Sequence, residues 1–358
     1  MIDWITALIP FEHHEPLNDG QVISIDRDGR EEWTTHKRLV VRGSYESALH
    51  IKSDPHTRNS QGIYTHILLD GNPVKFFQGH NLWGTDDLMG LVAETMLKVA
   101  QSLNLPITVT DWDMIVNGAY QLKRVDSTMM LAMGTQTDVQ AFLYSAERTA
   151  HMRYKGQGIM TKGTLYFGKH SRRETLKMYS KATEIKAKGH ELPLALQQLP
   201  ELYNWVADKL RLEVCTRSME LKDRGLQLAC HWDDNTPEDT LLKSLSGLNM
   251  SENHTIPPSA LDGLPARLVA VYHLWKEGHD LRAMYPRMTF YRYRKALQEA
   301  AGIDIAVKQG NRQEPHPNVI EFRRVLRPER CDQIPAWAIG TPLYFEPCAK
   351  VTKITKIG

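Results

Sequence analysis

The sequence predicts an α+β protein in which an antiparallel sheet carries helices on one face and a mainly helical domain follows. Short runs of alternating apolar and polar residues recur between turn signals over the first two thirds of the chain, a pattern typical of half-buried strands. After the polar stretch 233–240 the apolar spacing becomes helical. We therefore predict a first domain at 1–235, a helical domain at 236–330 and a tail at 331–358.

The elements of the first domain follow from these two periods. Strands are predicted at 2–9, 39–42, 64–69, 121–130 and 210–217, with turns at 26–29 and 70–72. Helices are predicted at 86–102, capped by Asp86 or Thr85, and at 138–150, 181–188 and 202–209. The alternation of these elements favours a mixed layer architecture over a bundle or a sandwich.

In the second domain, four consecutive segments resemble a helix-turn-helix unit. They are a helix at 259–276, a tight turn at 277–280, a short helix at 281–285, and a basic helix that is capped near Thr289 and closed at Gly302. Such a unit commonly places its last helix in the major groove of DNA.

The composition is that of an ordinary globular protein. The 358 residues include 44 Lys and Arg against 42 Asp and Glu, so the net charge of +2 favours no particular partner. Four cysteines without CxxC spacing, Cys215, Cys230, Cys331 and Cys348, indicate a reducing compartment. We find neither an export signal nor an apolar run of membrane-spanning length, and expect a cytoplasmic protein without a membrane partner.

The stretch GTLYFGKHSRRETLKMYSK, residues 163–181, predicts a β-hairpin with a tyrosine between two lysines. Successive side chains in a strand alternate between its faces, so Lys177, Tyr179 and Lys181 share the face opposite the apolar residues. A phenol has an ordinary pKa of about 10. As a nucleophile it needs a neighbouring cation or metal, and Lys181 is the candidate on this strand.

The same alternation gives two other predicted strands one charged face. Arg124 and Asp126 share a face of the first, and Arg211 and Glu213 share a face of the second. If helices cover the apolar side of the sheet, both carboxylates meet Tyr179 on the open side. A carboxylate pair can hold Mg²⁺ or Mn²⁺, which polarises a phosphate group. The sequence therefore predicts phosphodiester chemistry.

Six stretches occur in the order and approximate spacing of the gene II type replication initiators of filamentous phages. They are MIDW…IPF, KFFQGHNLWGTDDL, RVDSTM, TLYFGKHSRRETLKMYSK, LRLEVCTRSMELK and YPRMTFYRYRKALQEAAGI. The chain resembles this family from residue 1 to about residue 305. The resemblance implies a site-specific endonuclease and strand transferase, with residues 1–235 as the nicking and joining domain, that starts rolling-circle replication and becomes joined to the 5′ phosphate through a tyrosine. By motif, that residue is Tyr179 and its companion is Lys181.

The metal ligands are expected to come from separate segments. Many rolling-circle initiators carry a His-hydrophobic-His motif, whereas none of the 15 histidines here lies two residues from another. We expect Mg²⁺ or Mn²⁺ to be held by Asp126 and Glu213 first and then by His80, and His66 to belong to the sheet.

Basic residues near the tyrosine and at the start of the last helix are the expected DNA contacts. They are Arg172, Arg173, Lys177, Arg287, Arg292, Arg294 and Lys295. The resemblance also implies replication origin DNA, a host helicase and a host DNA polymerase as partners in the bacterial cytoplasm. A homodimer on DNA, Tyr166 or water are the alternatives for the second strand-joining step.

Plainer interpretations exist for each of these features. Tyr179 could simply pack in a strand, with Tyr166 as the rival nucleophile, and the charged pairs could be surface salt bridges worth less than about 1 kcal/mol. Phe290, Tyr293 and Leu297 follow core spacing on the last helix, so its basic residues could form an ordinary solvated face. The alternative functions are a non-catalytic origin-binding or repressor protein and a metal-dependent hydrolase that uses water.

Overall fold

A computed structural model of the protein describes residues 1–18, 20–250, 264–301, 305–306 and 333–347. Its strands are β1 (Ile2–His13), β2 (Gln21–Ile25), β3 (Glu31–His36), β4 (Leu39–Arg42), β5 (Ala48–Ser53), β6 (Tyr64–Gly71), β7 (Gln121–Ala132), β8 (Ala150–Met152), β9 (Gly156–Gln157), β10 (Ile159–Thr161), β11 (Thr164–Phe167), β12 (Glu174–Ser180), β13 (Lys209–Arg217) and β14 (Leu248–Met250). Its helices are α1 (Pro73–Gln78), α2 (Leu88–Leu103), α3 (Val109–Val116), α4 (Gln136–Thr149), α5 (Lys181–Glu184), α6 (Leu194–Gln197), α7 (Pro200–Val206), α8 (Ser218–Asp223), α9 (Thr236–Ser246), α10 (Ala266–Lys276), α11 (Leu281–Met284) and α12 (Arg287–Ala301).

The main sheet is antiparallel throughout. Within the described part of the chain, nine strands pair in the order β10-β11-β12-β13-β7-β1-β6-β5-β4. The ribbon of β2 and β3 is separate, and β14, β8 and β9 form a smaller sheet. The predicted α+β class with an antiparallel sheet is confirmed.

One face of the main sheet packs against four helices. Helices α2 and α3 cover β1, β6 and β7 in one apolar cluster, and α4 and α9 cover β7, β11, β12 and β13 in a second. Alternate residues of each strand point into these clusters, as Met178 and Leu212 do. Burial removes their apolar surface from water, which contributes about 1.5 to 3 kcal/mol for each large side chain. The opposite face carries the polar residues.

Strand β1 contains a bulge next to β7. Ile2 lies opposite Ser127 and Trp4 lies opposite Asp126, so Asp3 is an extra residue between two consecutive pairs. A bulge re-aims the side chain that it carries. The Asp3 carboxylate consequently contacts residues of the polar face.

Several predicted boundaries are wrong by a few residues, for local reasons. Strand β12 ends at Ser180, whose hydroxyl accepts a hydrogen bond from Thr183 N at 3.2 Å, so Lys181 starts α5 instead of continuing the strand. The cap of α2 is Asp87, whose Oδ1 accepts from Gly90 N at 2.9 Å, not Asp86 or Thr85.

Two further predicted elements begin elsewhere. The predicted turn at 70–72 is wrong, because β6 continues through Gly71 and Asn72 caps α1. The basic helix begins at Arg287, so Thr289 is not its cap. Gly302 lies outside the described residues.

The C-terminal helices form a cluster of their own. Helices α10, α11 and α12 occur in the predicted order and enclose Tyr272, Trp275, Phe290 and Leu297, which confirms the apolar stripe of α12. The predicted start of α10 at 259 lies outside the described residues, as do 307–332 and 348–358. The domain boundary at 235 remains a prediction, although α9 packs on the first part of the chain.

The segment 333–347 packs near the QGHN stretch. Trp83 Nε1 donates to the Leu343 carbonyl at 2.8 Å, and the rings of Phe77 and Phe345 stack with centroids 3.8 Å apart. Residues of α5, α6 and α7 complete this third apolar cluster. Among the residues with a described structure, no helix has both the length and the apolar content that crossing a bilayer requires.

Candidate active site on the polar sheet face

The polar faces of β12 and β13 bring a phenol, a carboxylate and an ammonium group together. Tyr179 Oη donates to Glu213 Oε2 at 3.1 Å, and Lys177 Nζ forms an ion pair with Glu213 Oε1. Lys177 lies opposite Glu213 in the antiparallel register, which explains the direct contact. The shared face predicted for Lys177 and Tyr179 is confirmed.

Asp126 on β7 extends this network. Arg124 binds it through two hydrogen bonds, Nε to Oδ1 at 2.7 Å and Nη2 to Oδ2 at 2.5 Å, and Lys177 Nζ lies 4.0 Å from Oδ2. The Arg124–Asp126 pair predicted as an alternative therefore exists, but its carboxylate is buried rather than on the surface. No ion pair is found between Arg211 and Glu213 among the described residues.

The two buried carboxyl groups differ in pKa. Burial raises the pKa of Asp126, and the negative charge of Glu213 raises it further. Burial acts in the same direction on Glu213, but the positive charges of Lys177 and Arg211 outweigh it and lower the pKa of Glu213. Glu213 is therefore the group that holds its negative charge.

A fully buried arginine lies beside the tyrosine. Arg211 is opposite Tyr179 in the register, and its Nη2 forms an ion pair with Asp3 Oδ1 at 2.8 Å. Its Nη1 donates to the backbone carbonyl of Asn81. Lys181 Nζ in turn donates to Asn81 Oδ1 at 2.9 Å and pairs with Glu184 at 2.7 Å. These contacts fix both cations in place.

Tyr179 is enclosed by polar groups rather than exposed. Its relative exposure is 7%, so the expectation of a phenol on an open surface is wrong. Burial raises the pKa of Tyr179 well above its ordinary range, while the charge of Arg211 acts in the opposite direction. Burial together with Arg211 lowers the pKa of Lys181. Arg211 is therefore the cation that acts on the phenol most strongly.

The predicted metal ligands do not form one group. The described residues contain no set of three His, Cys, Asp or Glu side chains arranged to hold a metal ion. Cations already contact the Asp126 and Glu213 oxygens, and His80 packs edge-on against Trp83, with its Nδ1 accepting from Leu82 N at 3.3 Å. This arrangement does not fit Mg²⁺ or Mn²⁺ as it stands, and the metal assignment remains a prediction.

The other predicted site residues lie around this cluster or in the C-terminal helices. Tyr166 is half-buried opposite Lys177, and the Lys169 ammonium lies 5.2 Å from its ring centroid. Arg172 is exposed, and Arg173 pairs with Glu220 and Asp223 of α8. His66 is half-buried in β6, as expected.

On α12, the basic residues surround the apolar stripe. Arg287, Arg292 and Lys295 are exposed, and Arg294 is half-buried. These positions suit contact with a polyanion, and the DNA contacts remain predictions.

Sequence reasoning missed two members of the site. Asp3 accepts hydrogen bonds from Asn72 Nδ2 at 2.7 Å and Asn81 Nδ2 at 2.8 Å, and it pairs with Arg211. The QGHN motif was a usable signal for Asn81, since it contains this residue directly after His80. No sequence signal distinguished Asp3.

Comparison with known proteins places the chain in a family. Residues 1–235 match the N-terminal family of the phage replication-associated protein encoded by gene II, and residues 265–347 match the C-terminal family of the same protein. The chain belongs to this replication-associated protein family. The resemblance to gene II type initiators of filamentous phages is thereby confirmed.

Relatives match over most of their length. The replication-associated protein of Enterobacteria phage I2-2 is 38% identical over 328 residues, covering 91% of this chain and 93% of the relative. That of Enterobacteria phage M13 is 23% identical, covering 82% and 80%. A solved rolling circle replication initiator protein from Geobacillus stearothermophilus shows 12% identity and a TM-score of 0.30 over 86% of this chain and 98% of its own. A similarity this low carries no argument.

Proposed function

We propose that the protein initiates rolling-circle replication of a filamentous phage genome by nicking one strand of origin DNA with Tyr179. The observation that carries this proposal is the contact of Tyr179 Oη with Glu213 in a closed, charged cluster beside Arg211. A tyrosine that served only for packing would not need a hydrogen bond to an ionised carboxylate. Membership of the gene II replication-associated protein family supports the proposal.

The proposed nicking step is a transesterification. Tyr179 Oη forms a bond to the phosphorus, the bond between phosphorus and the 3′ oxygen breaks, and the 3′ oxygen takes up a proton. The phenolic proton passes to Glu213, which already accepts it in a hydrogen bond. The products are a 5′ phosphotyrosyl ester and a free 3′ hydroxyl. Because the ester keeps the bond energy, the reverse reaction can close a circle.

The resting cluster disfavours this proton transfer. The pKa of Tyr179 is raised by burial, whereas the pKa of Glu213 is lowered by its cations. Arg211 offsets part of the cost by stabilising the phenolate. We infer that DNA must open the cluster before Tyr179 reacts, with Lys181 holding Asn81 and thereby the carbonyl that Arg211 contacts.

The partners follow from this reaction. Origin DNA is the proposed substrate, and a host helicase and DNA polymerase would unwind and extend the 3′ end in the bacterial cytoplasm. A second protomer, Tyr166 or water would perform the later joining step. Mg²⁺ or Mn²⁺ belongs in the assay as the expected cofactor, although no step above passes through it.

Trapping a covalent adduct tests the proposal. Labelled supercoiled origin DNA is incubated with the full chain and Mg²⁺ or Mn²⁺, and the products are separated in SDS. We expect an SDS-resistant 5′ adduct that is lost in Tyr179→Phe and retained in the matched control Tyr166→Phe, and peptide mapping should place it on Tyr179.

Two outcomes would overturn it. An adduct that survives in Tyr179→Phe puts the nucleophile elsewhere, and nicked DNA without any adduct indicates hydrolysis by water.

The second candidate is an origin-binding protein without catalysis. The low exposure of Tyr179 and the exposed Arg287, Arg292 and Lys295 of α12 favour it. It predicts tight duplex binding with no nicking. In either case, loss of one phosphate contact, as in Arg292→Ala, should lower the salt slope of duplex binding by about one unit.

A further inference from the structure

The polar face continues beyond the tyrosine cluster, across β7 and β1 to β6. Trp4 Nε1 donates to Asp70 Oδ1 at 3.0 Å, and Arg38 Nη1 pairs with Asp70 Oδ2 at 2.6 Å. On its other side, the Arg124 guanidinium carbon lies 5.2 Å from the Trp4 ring centroid. Trp4 thus lies between two arginines in the strand next to β7.

In this part of the face, the cations are nearer to solvent than the carboxylates. Side-chain exposure is 52% against 13% for Arg38 and Asp70, 33% against 1% for Arg124 and Asp126, and 22% against 6% for Lys177 and Glu213. The buried carboxylate of each pair orients the cation above it. The surface presented to a ligand is therefore positive, although each pair is nearly neutral.

The length of this row suits an extended ligand. Strands in a sheet lie about 4.8 Å apart, so the four steps from β6 through β1, β7 and β13 to β12 span roughly 19 Å. Guanidinium groups bind phosphate in a bidentate manner. Aromatic rings among such cations stack with unpaired bases.

We propose that Arg38, Trp4 and Arg124 form a seat for single-stranded DNA that leads across the sheet to Tyr179. The proposal rests on the proposed nicking function and extends it by naming where the strand lies. A single strand fits because Trp4 can stack only with an unpaired base, whereas duplex DNA presents its phosphates and keeps its bases stacked. The arginines contact phosphates and the half-buried indole contacts a base.

Salt-dependent binding of a labelled single-stranded oligonucleotide tests the seat. Arg38→Gln removes an exposed cation while Asp70 keeps its hydrogen bonds from Trp4 and Thr6. We expect the slope of log K against log salt to fall by about 0.7. The matched control is Arg42→Gln on β4, an exposed arginine that donates to the Glu46 carbonyl, and its slope should equal that of the wild type.

A second variant tests the stacking contact. Trp4→Leu should weaken single-strand binding roughly tenfold with little change in salt slope, since stacking releases no counterions. Circular dichroism and the unfolding midpoint verify that the variant is folded.

Three results would overturn the seat. They are an unchanged slope in Arg38→Gln, equal losses in Arg38→Gln and Arg42→Gln, and an effect confined to duplex DNA. These results leave the Tyr179 adduct intact, whereas failure of the nicking proposal removes the Tyr179-dependent adduct and leaves the binding slopes unchanged. The two proposals therefore fail in distinguishable ways.

Discussion

Strands β12 and β13 bury both of their faces, and the two faces differ in what holds them. On one face, Met178 and Leu212 pack against helices, and apolar burial is favourable without any directional requirement. On the other, Lys177, Tyr179 and Glu213 are buried or half-buried in a hydrogen-bonded network. Burying charge is costly unless each group is paired. The apolar face therefore supplies stability, whereas the polar face supplies a fixed geometry.

The largest effect should come from leaving a charge of the polar face without its partner. Arg211→Met removes a fully buried guanidinium and leaves Asp3 with only its two asparagine donors. We expect a loss of about 4 kcal/mol in the free energy of unfolding, measured with urea. Arg42→Met, at an exposed position, should change it by less than about 0.5 kcal/mol. Equal effects at both positions would contradict the comparison.

On the apolar face, the matched change is a cavity. Leu212→Ala removes a buried side chain between the sheet and its helices. We expect a loss of about 3 kcal/mol in urea unfolding, and adduct formation by the folded fraction should be unchanged. Loss of adduct in a variant that is still folded would show that the two faces are not independent.

The pH dependence separates the faces further. The pKa of Glu213 in the folded protein lies below its ordinary value of 4.5, so its contribution to stability is present above pH 4.5 and lost as pH falls through the folded value. Glu213→Gln should cost about 2 kcal/mol at about pH 7, and this cost should shrink below about pH 4. The cost of Leu212→Ala should not change over the same range. Urea midpoints at both pH values test this difference.

The smallest effect on stability should come from the nucleophile itself. Tyr179→Phe removes one hydrogen bond to Glu213, and we expect a loss of about 1 kcal/mol in the free energy of unfolding. A loss above about 3 kcal/mol would instead indicate a structural role for the hydroxyl, because that is the upper range for leaving a charged acceptor unpaired.

The face of each charged residue was predictable, but its neighbours were not. Alternation with a period of two placed Lys177, Glu213 and Asp126 on one side of the sheet, as the structure shows. Which strands are adjacent depends on long-range packing, and β1 lies between β6 and β7, which are far apart in the chain. Asp3 and Asn81 reach the site through that packing, so no local pattern could reveal them.

Other mispredictions arose where one element changes into another. Lys181 follows the strand period in the sequence, yet the cap formed by Ser180 turns the chain into a helix one residue earlier. The exposure of Tyr179 could not be judged from alternation, because a polar face can be covered as completely as an apolar one.

The bulge at Asp3 makes this part of β1 sensitive to length. Without the additional residue, Ile2 and Trp4 could not occupy consecutive pairs with Ser127 and Asp126, and the carboxylate would leave Arg211. A deletion of one residue here therefore cannot be absorbed as a loop deletion can. Insertions and deletions should accordingly be far rarer at this point of the strand than in the connection between β2 and β3, and a family member that lacks the additional residue must supply the counter-ion of its arginine from another segment.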